Sequence, residues 1–157
     1  MAPDVLSIKQ EDPAQSDVAE LLRHGEAFSA SLYPPESSHH LPLDALRRPE
    51  ARFFVARDTK GTALATGALV LHDGWAEIKR MWVEEAARGR GIARRVLNVL
   101  IGQAASAGIE ILRLETGVAS HAALALYEKT GFKRRAPFGD YRPDPLSVFM
   151  ERPVNLL

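Results

Sequence analysis

One stretch restricts the fold more than any other. Trp75–Val83 reads as a strand, Arg90–Ala107 reads as a helix, and the chain passes between them through Arg88-Gly89-Arg90-Gly91. A helix that begins there carries unpaired backbone N–H groups and the positive end of its macrodipole. Gly89, Gly91 and Ala93 lack bulk, so an anion can approach the main chain closely. Arg88, Arg90, Arg94 and Arg95 add positive charge. The physics predicts a phosphate or diphosphate site; a flexible loop with a solvated basic helix face is the alternative. Two nucleotide fingerprints do not fit. Gly91 is not followed by Lys-Ser/Thr as in a Walker A loop, and Ala87 and Ile92 break the dinucleotide GxGxxG spacing.

The rest of the chain frames this turn. Val5–Ile8 reads as a strand, and Asp12-Pro13 opens a helix to Ala30 with Val18, Leu21, Leu22 and Phe28 on one stripe. Pro34-Pro35 forbids regular helix before a short second helix at Asp44–Arg48. Arg52–Arg57, Thr62–Leu71 and Trp75–Val83 are strands joined by the turns Asp58–Gly61 and Asp73-Gly74, so they are expected as antiparallel neighbours. Gly108 stops the helix of Arg90–Ala107, whose apolar face is Ile92, Val96, Val99 and Leu100. A strand at Ile109–Glu115, a helix at Ala119–Thr130 and two strands, Phe132–Arg135 and Ser147–Glu151, complete the order. This is a mixed α/β or α+β layer rather than regular doubly wound alternation. No interior linker or repeat stands out, so one domain over residues 1–157 is expected.

Composition removes several function classes. Lys plus Arg and Asp plus Glu both total 20, so nucleic acid finds no global electrostatic attraction. Cysteine is absent, which excludes disulfides, thiolate metal sites and cysteine nucleophiles. Met1-Ala2-Pro3-Asp4 shows no secretory pattern, and the longest apolar runs, near Ala63–Leu71 and Val96–Ile101, are too short to span a membrane. A cytoplasmic protein without a membrane partner is expected.

Arg88-Gly89-Arg90-Gly91-Ile92-Ala93 matches in full the Arg/Gln-x-x-Gly-x-Gly/Ala signature of the GNAT superfamily of N-acetyltransferases, which the chain resembles. Ala76–Val83 sits where that family's central strand enters the loop. Ser120–Phe132 resembles its Asn-x-x-Ala-x-x-x-Tyr-x-x-x-Gly-Phe helix, with Ser120 in place of Asn. The likeness runs from about Val5 to Arg152 and is strongest over Glu77–Phe132. It implies a central, mostly antiparallel sheet of about six to seven strands, splayed in the middle and flanked by about four helices. It also implies acetyl-CoA as co-substrate and no metal, and dimers are common in the family.

The resemblance assigns roles residue by residue. Backbone N–H groups across Gly89, Arg90, Gly91, Ile92, Ala93 and Arg94, beside Arg88, hold the diphosphate. Met81 and Val83 pair with the pantetheine amides like an added strand. The N–H near Trp82 contacts the thioester oxygen, and Ser120 is a weakened polar contact. Tyr127 is the proton donor for the leaving thiolate; filling core is its alternative. Glu77 is the first choice of base. Glu115, in Leu114-Glu115-Thr116-Gly117, is a second carboxylate, and His39 or His40 can also titrate near neutrality. No third ligand at recognised spacing accompanies the histidine pair to make a metal site.

For the acceptor, Lys79, Arg80 and Arg142 are candidates to clamp a carboxylate, with hydrogen bonds from Ser37 and His39. Strand alternation sends Lys79 and Arg80 to opposite faces, so at most one serves a given pocket. A small amine that also bears a carboxylate is expected as acceptor. Acetylation of a protein N-terminus or lysine is the second reading. A non-catalytic acyl-CoA sensor is the third.

Overall fold

A computed structural model describes residues 5–156. Met1–Asp4, on which the absence of a leader was read, lie outside them. The order is β1 (Ser7–Gln10), α1 (Ser16–Leu32), α2 (Leu43–Leu46), β2 (Ala51–Arg57), β3 (Ala63–Leu71), β4 (Trp75–Val83), α3 (Ile92–Ser106), β5 (Ile111–Gly117), α4 (His121–Lys129), β6 (Lys133–Arg135) and β7 (Ser147–Pro153). Single turns of 3₁₀ helix occupy Pro35–Ser37 and Glu85–Ala87. The strands form one sheet in the order β1-β2-β3-β4-β5-β7-β6, antiparallel except between β4 and β5. No helix among the described residues is long and apolar enough to cross a membrane.

Local chemistry moves the helix starts. Asp12-Pro13 is expected to open α1, but the Asp12 carboxylate accepts the Ala14 N–H at 2.9 Å, so Asp12-Pro13 forms a turn and the helix opens at Ser16. Gly89 and Gly91 have φ of +79° and +73°, which a right-handed helix does not admit, so α3 starts at Ile92 rather than Arg90. The Asp73-Gly74 hairpin stands as read, with Leu71 opposite Ala76 and Gly74 at φ +81°.

Two features shape the centre of the sheet. Between β3 and β4 the register slips, so that Arg80 and Met81 together face Gly67. Arg80 takes φ +56° in this bulge, and its carbonyl accepts the Thr66 hydroxyl at 2.8 Å. A side chain at Gly67 would meet Val96 at 2.6 Å, so glycine is what lets α3 approach this closely. The second feature is the parallel pair itself. It runs only from Trp75–Ile78 against Ile111–Leu114, and beyond those residues β4 and β5 separate.

Apolar burial fixes both faces. Leu97, Leu100, Leu112, Leu114 and Met150 are essentially inaccessible between the sheet and α3 and α4. Val18, Leu21 and Leu22 of α1 pack with Leu46, Phe53 and Val55 on the opposite side. Each such side chain contributes about 1.5–3 kcal/mol of transfer free energy. The arms of the separated strands are therefore held from behind while the gap between them stays open.

Candidate active site

The gap opens into a cavity of ≈ 1100 Å³. Its walls are α1, the outer end of β4, the glycine–arginine turn, the end of β5 and the first turns of α4. Of the residues expected at the cofactor, Met81, Trp82, Val83, Arg88, Gly89, Gly91, Ile92, Ala93, Arg94, Ser120 and Tyr127 all border it. Arg90 does not and is exposed.

The turn is built as an anion cradle. Buried Ala87 and Ile92 anchor its two ends. The two left-handed glycines present main chain with no atom within 4 Å of where either Cβ would stand. Gly91 supplies no capping side chain, and α3 has no acidic residue in its first turn. The helix thus keeps its leading N–H groups and its positive end for an outside partner.

The edge of β4 is partly occupied. Glu84 N–H donates to Leu64 O on β3 at 2.9 Å, so alternation turns the main chain of Val83 toward the gap. Its carbonyl accepts Arg88 Nε at 3.2 Å. The Arg88 guanidinium also lies over the Trp82 ring at 4.9 Å and the Phe28 ring at 5.5 Å. Ser120 is engaged as well, its hydroxyl sharing a 2.8 Å hydrogen bond with Tyr33 Oη.

The candidate residues of the acceptor side fall in different surroundings. The Glu77 carboxylate accepts the Tyr141 hydroxyl and lies 3.5 Å from Lys79 Nζ; it is absent from the cavity wall. A carboxylate bonded to Tyr141, paired with Lys79 and off the cavity wall is poorly placed to take a proton from an acceptor in the gap. Arg142 is exposed and does not border the cavity. Arg80 does, but its guanidinium donates to Leu41 O at 3.1 Å and Glu26 at 3.4 Å, because the bulge directs it back beneath α1 and the segment before α2. Ser37 donates its hydroxyl to Asp144 at 2.7 Å, tying two loops together.

Of the two strand carboxylates, Glu115 is the one that borders the cavity. It accepts the Ser147 hydroxyl at 2.8 Å, and burial raises its pKa, with the nearby Glu77 charge adding to the rise. Tyr127, on α4 and so on the same arm of the gap as Glu115, is 5% exposed; burial and then the Glu115 charge hold its phenol protonated. His39 borders the cavity with its ring edge-on to Tyr141 at 5.2 Å. His40 also borders it, and burial together with Arg80 lowers its pKa and favours the neutral ring. Among the described residues no three His, Asp or Glu side chains group to hold a metal ion.

Sequence reasoning missed two tyrosines. Tyr141 is the keystone under Glu77 and Lys79, and Tyr33 reaches Ser120 and Ala119 across 87 and 86 positions of chain. No local pattern announces contacts that distant. Gly117 belongs to the second group, since a Cβ there would lie 2.0 Å from Tyr33 Oη. Gly117→Ala is expected to lower stability by about 1–3 kcal/mol in urea unfolding as the ring is forced out; an unchanged midpoint would show that Tyr33 yields freely.

A sheet opened at a parallel pair, with a glycine–arginine turn beneath the opening and a phenol and a carboxylate on its walls, is the arrangement of an acyltransferase. The pattern of the acetyltransferase (GNAT) family matches residues 17–132, and the chain belongs to that family. An IAA acetyltransferase from Azospirillum brasilense is 44% identical over 151 residues, 95% of this chain and 98% of the relative. A structure from Klebsiella pneumoniae described as an acyl-CoA N-acyltransferase superposes with a TM-score of 0.82 at 32% identity, covering 96% of this chain and 99% of its own. The PaiA N-acetyltransferase of Thermoplasma acidophilum, solved with coenzyme A, shares the fold with a TM-score of 0.73 at 16% identity, covering 95% and 99%.

Proposed function

We propose that this enzyme transfers the acetyl group of acetyl-CoA to the amine of a small molecule by direct attack while both are bound. The observation that carries the reading is one continuous cavity. It runs from the cradle at Gly89–Arg94, along the outer edge of β4, to Glu115 and Tyr127. The cradle suits a diphosphate, and Met81 and Val83 offer main-chain groups to the pantetheine once Arg88 releases the Val83 carbonyl. The acceptor amine attacks the thioester carbon, the new C–N bond forms and the C–S bond breaks. Glu115 takes the proton that the amine loses, and Tyr127 gives one to the departing thiolate. The burial that weakens Tyr127 as an acid also raises the proton affinity of a thiolate released into the same dry site, so the two remain matched.

The roof over the acceptor side favours a small molecule over a protein chain. The segments around Ser37–His39 and Tyr141–Asp144 are joined by the Ser37–Asp144 bond, and Lys79 donates to both His39 O and Tyr141 Oη at 2.8 Å. A panel of amino acids, polyamines, aminoglycosides and peptides, read by thiol release from acetyl-CoA, tests the proposal. Turnover with small amines is expected. Turnover with peptides alone would reverse the acceptor class, and tight coenzyme binding without any turnover would make the protein a sensor. Tyr127→Phe is expected to lower kcat by about 10²-fold with coenzyme affinity preserved; equal kcat would remove Tyr127 from the acid role.

A further inference from the structure

Beyond Ile78 and Leu114 no ladder pairing fixes how far apart β4 and β5 stand. One side chain bridges the opening at its wide end. Tyr33 follows α1, which packs against β3 and β4, and its hydroxyl accepts the Ala119 N–H at 3.0 Å and shares a hydrogen bond with Ser120 Oγ at 2.8 Å. Ala119 and Ser120 lead from β5 into α4, on the other arm. The ring of Tyr33 also lies against the backbone of Gly117, the last residue of β5, closely enough to exclude a Cβ. The V is thereby closed into a ring, with Ile78 and Leu114 at its apex and Tyr33 with Ser120 at its base.

We infer that Tyr33 is a positioning residue whose hydroxyl sets the separation between the two arms, and so the distance between the β4 edge and Glu115 with Tyr127. The inference rests on the reading of the gap as the place of acyl transfer. Tyr33 itself touches no group undergoing chemistry in that reading. A gap wider by even a fraction of an ångström separates the thioester, held on one arm, from the proton acceptor and donor on the other, and transfer is sensitive to such misplacement.

Tyr33→Phe keeps the ring against Gly117 and removes only the hydroxyl. The expected result is a kcat about tenfold lower with KM for acetyl-CoA changed by less than about twofold. Ser120→Ala, which leaves the Ala119 bond to Tyr33, should lose less, and the double variant should be no slower than Tyr33→Phe alone. Because the chain has no cysteine, single cysteines at exposed Ala27 on α1 and Ala125 on α4 can carry spin labels. The inter-label distance should broaden in Tyr33→Phe, a readout that needs no turnover. Unchanged kcat, an unchanged distance distribution, or losses that multiply in the double variant would each overturn the inference. Broadening in a protein whose wild type acetylates no amine would instead sink the functional reading and leave Tyr33 a structural strut.

Discussion

Gly91→Glu is expected to raise the dissociation constant for coenzyme A by more than about 100-fold, because two independent penalties meet at one residue. Gly91 sits at φ +73°, and any side chain in that conformation costs about 1–2 kcal/mol. The residue must then leave the left-handed conformation, which turns the N–H groups of the cradle, or hold it under strain. The carboxylate adds the second penalty. It would occupy the positive end of α3 as a resident anion and repel a diphosphate. The fold itself should survive, since nothing lies within 4 Å of the Cβ position and an acidic group at a helix N-terminus stabilises it by about 0.3–1 kcal/mol. Gly91→Ala separates the two effects, carrying the backbone cost alone and weakening binding by about tenfold. Calorimetry with coenzyme A reads both. Equal affinity in Gly91→Glu and the wild type would take the turn out of the coenzyme site.

The cradle was legible because everything it needs is local. Glycines that must adopt positive φ, the strand before them and the apolar stripe after them are adjacent in sequence, and the hairpin at Asp73-Gly74 fixes which strand precedes. The same locality explains why the strands over Arg52–Val83 were read as antiparallel neighbours. The boundaries that moved did so for equally local reasons that compete with helix propensity: an Asp12 carboxylate that captures Ala14, and φ values at Gly89 and Gly91 that no helix accommodates.

The acceptor side was not legible, because its chemistry is decided by contacts across the fold. Glu77 and Glu115 are both glutamates on neighbouring strands, and sequence alone ranks them by family habit. What separates them is Tyr141, which donates to Glu77 from 64 residues away. Arg80 shows the same dependence. Alternation predicts a side for it, but a bulge opposite Gly67 intervenes, and the guanidinium ends beneath α1 on backbone carbonyls. Ser120 in place of Asn read as a weakened cofactor contact. Its hydroxyl is in fact taken by a tyrosine that no motif marks.

Glu115→Gln is the second large effect, and stability and activity should move in opposite directions. The side chain is nearly isosteric and still accepts the Ser147 hydroxyl, so the change removes the charge and little else. As general base, its loss should lower kcat/KM by about 10²–10⁴-fold. In the wild type, activity should rise with pH through the raised pKa of Glu115, and that limb should vanish in the variant. The stability change has a definite sign. The folded protein binds the Glu115 proton more tightly than the unfolded chain, whose carboxyl titrates near 4.5. The stabilising contribution of that proton is complete below the unfolded value and is lost as pH rises through the higher folded value. At neutral pH the wild type therefore bears the cost of an ionised, half-enclosed carboxylate that glutamine does not. Thermal unfolding should find Glu115→Gln above the wild type at pH 8 and level with it near pH 4. Glu77→Gln should behave in the opposite way, losing the charge-assisted bond from Tyr141 and the ion pair with Lys79, and about 1.5–3 kcal/mol of stability. If Glu115→Gln turned over like the wild type while Glu77→Gln stayed folded and inactive, the proton would have to leave through Glu77, and the keystone Tyr141 would become the relay that carries it.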